Sequence, residues 1–581
     1  MADEAIARIK MLNEVQPDRP FMIYYAPGGT HAPHHPTPEW IKKISDMHLF
    51  DKGYNDLREQ IVANQRRLGI IPQNAQLTAW PDSIPNWETL SPDAKKLFIR
   101  QADVYAAYLA YTDYEIGRVI QAVDDAGKLD NTLIIYVSGD NGASPEGTLN
   151  GLYSEYAFIN GVAPTVAENM KFYDAWGSDQ TYPHYTAGWA LAFDTPYQWT
   201  KEVASHFGGT RNGMAMAWPA RIKDAGSIRT QFHHVIDIVP TILEAAGLPE
   251  PVTVNGIAQK PIEGVSMVYS WDKAAASTPS RRTTQYFEMF GSRGIYQDGW
   301  IASVPPWNPP WNITLAPPPP DVMNGFPRWQ LYNLNADWTQ ADDLAAKMPD
   351  KLRDLQEAWT VEATKHQVFP LDDAVLTRFL APKPNYNAER TVFTYTGELS
   401  NVLLSAAGNA PSLLNRSYTI TAEVEVPAGG AEGMLVTDGG RFGGYGFYLL
   451  KGKPIFTWEL NLPDVQRVKW QGKDALTPGK HTLEFDWKYD GPGMGKGGTG
   501  TLKADGTVLD NHPMQHSLPI SIMWNETFNV GLDTGTPVDD QDYQVPFRFT
   551  GKINKLTIKL GPTQLTSNDR QIIQHALATR D

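Results

Sequence analysis

A carboxylate and an amide stand side by side at Asp140 and Asn141, directly after the apolar run at residues 133–137. The run is long enough for one buried strand and too short for a helix, and the Gly-Asp-Asn-Gly that follows it is typical of a turn. In open α/β sheets, ligands and metal ions bind at the carboxyl ends of the strands, and carboxylate and amide oxygens suit a hard divalent cation. The pair is therefore a candidate metal site, and a plain surface turn is the alternative.

A second apolar run, at residues 21–25, also predicts a buried strand, and the short loop after it contains three histidines, His31, His34 and His35. Such a group can bind a metal ion, act as a general acid or base, or form an ordinary polar loop. The residue types alone leave these three interpretations open.

Lys201 lies in a glycine-rich segment at residues 199–213. A lysine there can hold an oxyanion as a point charge, although most lysines are simply solvated. Hydrolysis of an anionic ester uses three groups of this kind: oxygen ligands for a metal ion, a cation such as Lys201 and a histidine proton donor such as His31.

The elements that would position these residues alternate between strand and helix. Ser91 and Pro92 supply an N-cap and a first-turn proline, and an apolar stripe then predicts one long helix to about Asp125. The helix leads into the strand at residues 133–137, which is the order of a βαβ unit. We therefore predict an α/β domain over residues 1–384, with a mostly parallel sheet sandwiched by helices.

The pattern changes near residues 382–389, and beyond them apolar and polar residues alternate with a period of two. Residues 418–426, 483–487 and 545–549 each show this alternation, which predicts strands with one buried face. Residues 385–581 are therefore predicted to form a jelly-roll-like antiparallel β-sandwich. Such a module covers the first domain or binds glycans, and the lack of an evident aromatic platform favours the structural role.

Composition argues against several kinds of site and partner. The net charge of −15 disfavours binding to nucleic acid or to an anionic membrane. The chain has no cysteine, which excludes disulfides, a cysteine nucleophile and thiolate metal sites. No apolar run reaches the length of a membrane span, and residues 1–8 lack the apolar core of a signal peptide.

Five motifs occur in order along the chain. They are His31-x-Pro33, Tyr105-Ala-Ala-Tyr-x-Ala-Tyr-x-Asp113-x-Glu-Ile-Gly-Arg118, Ser138-Gly-Asp140-Asn141-Gly142, Lys201 with Ser205-His-Phe-Gly-Gly-Thr-Arg, and Asp237-Ile-Val-Pro-Thr-Ile-Leu. This ordered set resembles the sulfatases of the alkaline-phosphatase superfamily, and large bacterial arylsulfatases in particular. The resemblance extends over most of the chain.

The resemblance implies an alkaline-phosphatase-like fold and hydrolysis of a small-molecule sulfate ester. Asp140 and Asn141 would be ligands of one calcium ion, and Asn141 would also lie close to the sulfate. Lys201 would contact the sulfate, and His31 would meet the ester oxygen and help the alcohol or phenol leave. Neither nucleic acid nor a membrane is an expected partner, and the compartment stays open between bacterial cytoplasm and periplasm.

One part of the sulfatase pattern is not found ahead of the histidine loop. Sulfatases open with a strand that ends in paired aspartates and continue with Cys- or Ser-x-Pro-x-Arg, whose first residue becomes the formylglycine nucleophile; residues 1–30 contain neither. We therefore expect an N-terminally incomplete sulfatase, inactive alone, that relies on an N-terminal sulfatase fragment for the nucleophile. The alternatives are a phosphatase or phosphodiesterase of the same superfamily, and a pseudoenzyme or glycan-binding module.

Overall fold

The computed structural model describes residues 1–312, 328–372, 390–403, 408–462 and 465–571. Within these residues the chain forms ten α-helices and twenty β-strands. The helices are α1 (Ala2–Val15), α2 (Pro38–Ser45), α3 (Gly53–Arg67), α4 (Pro92–Asp125), α5 (Glu155–Ile159), α6 (Val166–Met170), α7 (Ala187–Phe193), α8 (Phe207–Thr210), α9 (Ile238–Ala246) and α10 (Pro349–Lys365). The strands are β1 (Ile134–Ser138), β2 (Gly213–Ala217), β3 (Thr253–Val254), β4 (Ile257–Ala258), β5 (Thr284–Met289), β6 (Ser292–Gln297), β7 (Trp300–Val304), β8 (Gln330–Asn333), β9 (Val392–Tyr395), β10 (Leu399–Leu403), β11 (Arg416–Val426), β12 (Gly433–Gly440), β13 (Gly443–Leu450), β14 (Lys453–Glu459), β15 (Arg467–Gln471), β16 (Gly479–Tyr489), β17 (Lys496–Ala504), β18 (Thr507–His516), β19 (Thr527–Val530) and β20 (Lys552–Thr563).

The described residues divide into two compact units. The first contains residues 1–149, 185–312 and 328–372, and the second contains residues 150–184 together with the described residues from 390 onward. The boundary placed at residue 384 from sequence lies outside the described residues and stays a prediction. The sequence predicted two consecutive domains, whereas residues 150–184 group with the second unit.

The long helix of the first unit begins and ends where local sequence signals place it. The Ser91 hydroxyl accepts from the Ala94 amide at 3.2 Å, Pro92 opens α4, and Gly127 follows the helix with a φ of +66°. α1 packs on the C-terminal half of α4 through a small apolar cluster that includes Ile9 and Val123. The predicted helix is confirmed.

The strand pairing of the first unit differs from the parallel sheet that we predicted. β1 pairs with β2 in antiparallel register, and β5 to β8 form a four-stranded antiparallel sheet packed on α10. Residues 21–25 form no strand, so that prediction was wrong. Phe21, for example, packs on the α1–α4 cluster, whereas the Tyr24 side chain is 88% exposed, because no described strand lies alongside to cover it.

The second unit is an antiparallel β-sandwich, as predicted. One sheet has the strand order β10-β19-β12-β13-β14-β15, and the other has the order β18-β17-β16-β11-β20-β9. Its core lies between the two sheets and includes Phe485 on β16 and Phe456 on β14, whose ring centroids are 3.6 Å apart. The strand predicted at residues 545–549 was wrong, since these residues form only an isolated bridge, between Arg548 and Met434. The α/β class with a C-terminal antiparallel β-sandwich is confirmed.

None of the helices in the described part of the chain combines the length and the hydropathy needed to cross a bilayer.

Candidate functional site

The β1–β2 pair holds the two loops that carry the candidate residues. Ser138 at the end of β1 lies opposite Gly213 at the start of β2. The loop after β1 contains Asp140 and Asn141, and the segment before β2 contains Lys201. The antiparallel register therefore places both loops at the same end of the ribbon.

Backbone contacts join these two loops directly. The Gly142 amide donates to the Gly209 carbonyl at 3.2 Å, and the Lys201 amide donates to the Ala143 carbonyl at 3.1 Å. A Cβ atom on Gly142 would lie 1.7 Å from the Gly208 carbonyl oxygen, so only glycine permits this approach. The sequence-predicted residues Asn141 and Lys201 are thus carried on neighbouring, hydrogen-bonded backbone segments.

Asp140 and Asn141 lie in the loop after β1, next to Gly142, and each side chain has an oxygen that can bind a metal ion. The Asp140 side chain is exposed, and the Asn141 Nδ2 donates to Asp140 Oδ1 at 2.9 Å. Calcium takes six to eight oxygen ligands in proteins. Among the described residues, no group of three or more histidine or acidic side chains is arranged to hold a metal ion. The pair therefore fits calcium in donor type and falls short of it in donor number, and the calcium ion stays a prediction.

Lys201 is ion-paired within the chain. Its Nζ lies 2.7 Å from Glu146 Oε2, and the Ser144 hydroxyl donates to the same carboxylate oxygen at 2.6 Å. Burial, reinforced by the charge of Glu146, raises the pKa of the neighbouring Glu202. Glu202 also has a φ of +75°, a conformation that costs a non-glycine residue energy and is found where the surrounding structure imposes it. The lysine thus sits in an acidic, tightly held loop.

The three histidines of this loop differ in burial, with His31 exposed, His35 half-buried and His34 buried. His31 is exposed, and its Nδ1 lies 2.8 Å from its neighbour's carbonyl at Ala32. His34 is 2% exposed and stacks on Tyr185 with ring centroids 5.2 Å apart, so it serves as a core aromatic ring. The catalytic role of His31 stays a prediction.

Three further residues support the site and were not identified from sequence. The Tyr185 hydroxyl accepts from the Ser144 amide at 3.0 Å, which links the histidine loop to the loop after β1. Both carboxylate oxygens of Asp194 accept from the Ala143 amide, and burial raises the pKa of Asp194 well above its usual range. Glu146 pairs with Lys201. No spacing rule marks them, because each acts on a residue far away in sequence.

His206, within the lysine segment, is a buried support residue. Its Nδ1 lies 2.8 Å from the Ser205 hydroxyl, and burial lowers its pKa to about 3. The ring is neutral at physiological pH and packs near Tyr332. It is not placed to exchange protons with solvent.

A Ser-x-Pro-x-Arg pattern does occur in this chain, at Ser277-Thr-Pro279-Ser-Arg281, after the lysine segment. It lies in the connection that leads to β5, with the Ser277 side chain exposed and the Ser280 hydroxyl accepting from the Phe232 amide at 2.7 Å. In sulfatases the nucleophile motif precedes the histidine loop, whereas this pattern follows the lysine segment.

Comparison with known proteins finds similarity to one family. A family model described as sulfatase matches residues 1–248. An uncharacterized sulfatase of Schizosaccharomyces pombe is 29% identical over 384 residues, which are 64% of this chain and 63% of that protein. An arylsulfatase of Klebsiella aerogenes is 27% identical over 296 residues, which are 50% of this chain and 59% of that protein. The chain thus spans about three fifths of the length of each of these curated relatives.

A solved structure, that of Ps i-CgsB, matches 64% of this chain and 55% of its own at 16% identity, with a TM-score of 0.34 that marks a distant likeness. The match to the family model includes the segment that carries His31, Asp140, Asn141 and Lys201. Over residues 1–248 this chain is therefore similar to the sulfatase family.

Proposed function

We propose that this chain forms the larger part of an arylsulfatase-type sulfuric ester hydrolase, which cleaves a small-molecule sulfate ester to sulfate and an alcohol or phenol. The observation that carries the proposal is the backbone junction between the loop of Asn141 and the loop of Lys201, through Gly142–Gly209 and Ala143–Lys201. It sets an amide and a cation on adjacent loops, as binding of a tetrahedral anion requires.

Each candidate side chain has a distinct role in this proposal. Lys201 donates to sulfate oxygens and stabilises the charge that develops on them, with Asn141 as a second donor. His31, exposed on its loop, gives its proton to the ester oxygen as the sulfur–oxygen bond breaks. A water oxygen ends on sulfur, so that the products are free sulfate and the alcohol or phenol.

Asp140 and Asn141 would hold one calcium ion, which when bound polarises the sulfate oxygens. These two side chains provide at most a few of the six to eight oxygens that calcium takes. The remaining ligands would come from an N-terminal sulfatase fragment with paired aspartates, the same fragment that would supply the nucleophile. The chain itself has no cysteine to fill that role.

An exposed apolar strip supports the docking of such a fragment. Val137 on β1 and Met214 on β2 lie opposite each other in the register, and both are substantially exposed, at 39% and 43%. Apolar pairs on a short, open ribbon are unusual in a surface that faces only water. A segment of the partner fragment packed on this face of the ribbon would cover them.

The test uses 4-nitrophenyl sulfate and calcium, with the full chain alone and with the polypeptide encoded immediately upstream. We expect no turnover from the chain alone and turnover from the combination, reduced by about a hundredfold or more in Lys201→Met and unchanged in Lys223→Met, a matched exposed lysine. Robust turnover by the chain alone would contradict the dependence on a partner. An upstream polypeptide that lacks both the aspartate pair and Cys- or Ser-x-Pro-x-Arg would contradict the origin of the nucleophile.

Ser277→Ala separates the two sources of a nucleophile. Turnover of the combination should not change, because the nucleophile is proposed to come from the partner fragment. Loss of turnover with folding retained would place the nucleophile on this chain instead.

A further inference from the structure

The outer face of one sandwich sheet carries a broad depression with a volume of about 670 Å³. It lies on β11, β16, β17, β18 and β20, on the side of the sheet opposite the core residues Ile420, Phe485 and Leu502. Ligand sites in proteins commonly have volumes of roughly 300–1,000 Å³. The depression is therefore large enough for two or three linked sugar rings.

A continuous polar row crosses this depression perpendicular to the strands. Thr419 on β11 lies opposite both Lys559 on β20 and Asp486 on β16. Asp486 in turn lies opposite Thr501 on β17, and Thr501 lies opposite Asn511 on β18. Five neighbouring strands thus present a hydroxyl, carboxylate, amide or ammonium group at the same level of one face.

Cross-strand hydrogen bonds fix the middle of the row. The Thr419 hydroxyl donates to Asp486 Oδ1 at 2.7 Å, and Asn511 Nδ2 donates to the Thr501 hydroxyl at 2.6 Å. Side chains that are already ordered lose less conformational entropy when a ligand binds. The Asn511 amide oxygen and the hydroxyl lone pairs can accept hydrogen bonds, and the Thr501 hydroxyl, which accepts from Asn511, keeps a proton to donate, which suits a hydroxylated ligand.

The depression is locally cationic on an acidic chain whose net charge is −15. Lys488 and Lys559 line it, both are exposed, and among the described residues neither has a carboxylate within 4.0 Å. The carboxylate of the lining, Asp486, is ion-paired with Lys503. Two lysines are thus available to an anionic group on a ligand.

We propose that this face binds an anionic saccharide, with ring hydroxyls hydrogen-bonded along the row and a sulfate or carboxylate group held by Lys488 and Lys559. The proposal does not depend on the hydrolase activity proposed above. A nucleic acid fits less well, because the lining aromatic rings of Tyr418 and Trp487 are each only 3% exposed and offer no surface for base stacking.

The experiment measures binding to the full chain by isothermal titration with dextran sulfate, polygalacturonic acid, unmodified dextran and poly-dT. We expect dextran sulfate or polygalacturonic acid to bind at least about tenfold more tightly than dextran and poly-dT, and the better of the two identifies the anionic group. Thr501→Val with Asn511→Ala, and separately Lys488→Gln with Lys559→Gln, should each weaken that binding about tenfold or more. Lys480→Gln with Lys552→Gln, two exposed lysines of the same sheet outside the depression, is the matched control.

Three results would overturn the proposal. They are no binding of either anionic polysaccharide, equal loss of affinity in the control pair, and binding of poly-dT as tight as that of the polysaccharides. Hydrogen exchange of the unmodified chain keeps the test independent of variant folding. Protection on adding the tighter polysaccharide should appear on β16, β17 and β18, and protection confined to other strands would also overturn it.

Discussion

Glu146 Oε2 lies 2.7 Å from Lys201 Nζ, so the lysine proposed to contact sulfate already shares its charge with a carboxylate of the same chain. Both side chains are about one-fifth exposed, and the Ser144 hydroxyl fixes the carboxylate. A sulfate that reaches Lys201 must therefore compete with Glu146 for the same ammonium group. The affinity of the site for anions depends on how firmly this pair is held.

Glu146→Gln should make Lys201 more reactive toward acylating reagents. Removing the carboxylate that pairs with Lys201 Nζ removes an interaction that favours the charged, unreactive ammonium form, which should raise the labelling rate of Lys201 at mildly alkaline pH by roughly threefold to tenfold. Peptide mass spectrometry after brief acylation measures the rate. Lys223, which is exposed on the same unit, serves as the internal control and should label equally in both proteins. Unchanged labelling of Lys201 would mean that the ion pair does not persist in solution.

Gly142→Ala should destabilise the junction between the two site loops. The added methyl group would lie 1.7 Å from the Gly208 carbonyl oxygen, and overpacking against backbone typically costs about 1–3 kcal/mol or more. Thermal unfolding followed by circular dichroism measures the loss. The control is Gly117→Ala in α4, where nothing lies within 4 Å, and there alanine should stabilise the helix by up to about 1 kcal/mol. Equal stability of Gly142→Ala and the parent chain would refute the close approach.

The sequence predicted best those features that depend on neighbouring residues. The N-cap at Ser91 and the glycine after α4 are local signals, and the alternation in residues 418–426 reports a buried face directly. Residues 21–25 read as a buried strand, but a strand needs a partner, and here one side of the run lies in solvent. Alternation alone likewise failed at residues 545–549, where only one bridge forms.

The candidate site was predictable in its parts and not in its connections. Asp140, Asn141 and Lys201 could be chosen because strand ends and glycine-rich segments collect functional side chains. The pairing of Lys201 with Glu146 joins residues that are 55 positions apart, and no periodicity connects them. The same holds for Asp194 and the Ala143 amide. Such contacts follow from the register of β1 with β2, which sequence patterns did not specify.

Glu202→Gln should reduce the pH dependence of stability. Burial and the charge of Glu146 raise the pKa of Glu202 from its usual 4.5 to about 8 in the folded chain. A carboxyl group whose pKa is higher in the folded chain than in the unfolded chain stabilises the folded state. This stabilisation is fully present below the unfolded-state pKa and is lost as the pH rises from about 4.5 to about 8. The Tm of Glu202→Gln should therefore gain on that of the parent chain as the pH increases over this range.

Thermal scans at about pH 5 and about pH 8 measure this effect. The Tm of Glu202→Gln minus that of the parent chain should be larger at the higher pH. Glu357→Gln, on the exposed face of α10, provides the control and should track the parent chain at both pH values. A constant difference between Glu202→Gln and the parent chain would show that Glu202 titrates normally.

Arg282→Met should be among the most destabilising single changes in the first unit. Asp237 is fully buried, and its carboxylate accepts from Arg282 Nε at 3.0 Å and from the Val265 amide at 2.7 Å. Burial alone would raise the pKa of Asp237, but these hydrogen bonds hold that pKa below its usual range. Removing the arginine leaves a buried charge without its counterion, which costs about 3–5 kcal/mol.

The second variant Arg282→Met/Asp237→Asn identifies the cause of that loss. If the uncompensated charge is responsible, the neutral amide should recover part of the free energy of unfolding, measured in urea. Arg353→Met breaks a solvent-exposed pair with Asp350, whose side chains are 63% and 86% exposed, and should change stability by no more than about 0.5 kcal/mol. Similar losses from Arg282→Met and Arg353→Met would contradict the argument, because burial of the carboxylate is what makes the first pair costly to break.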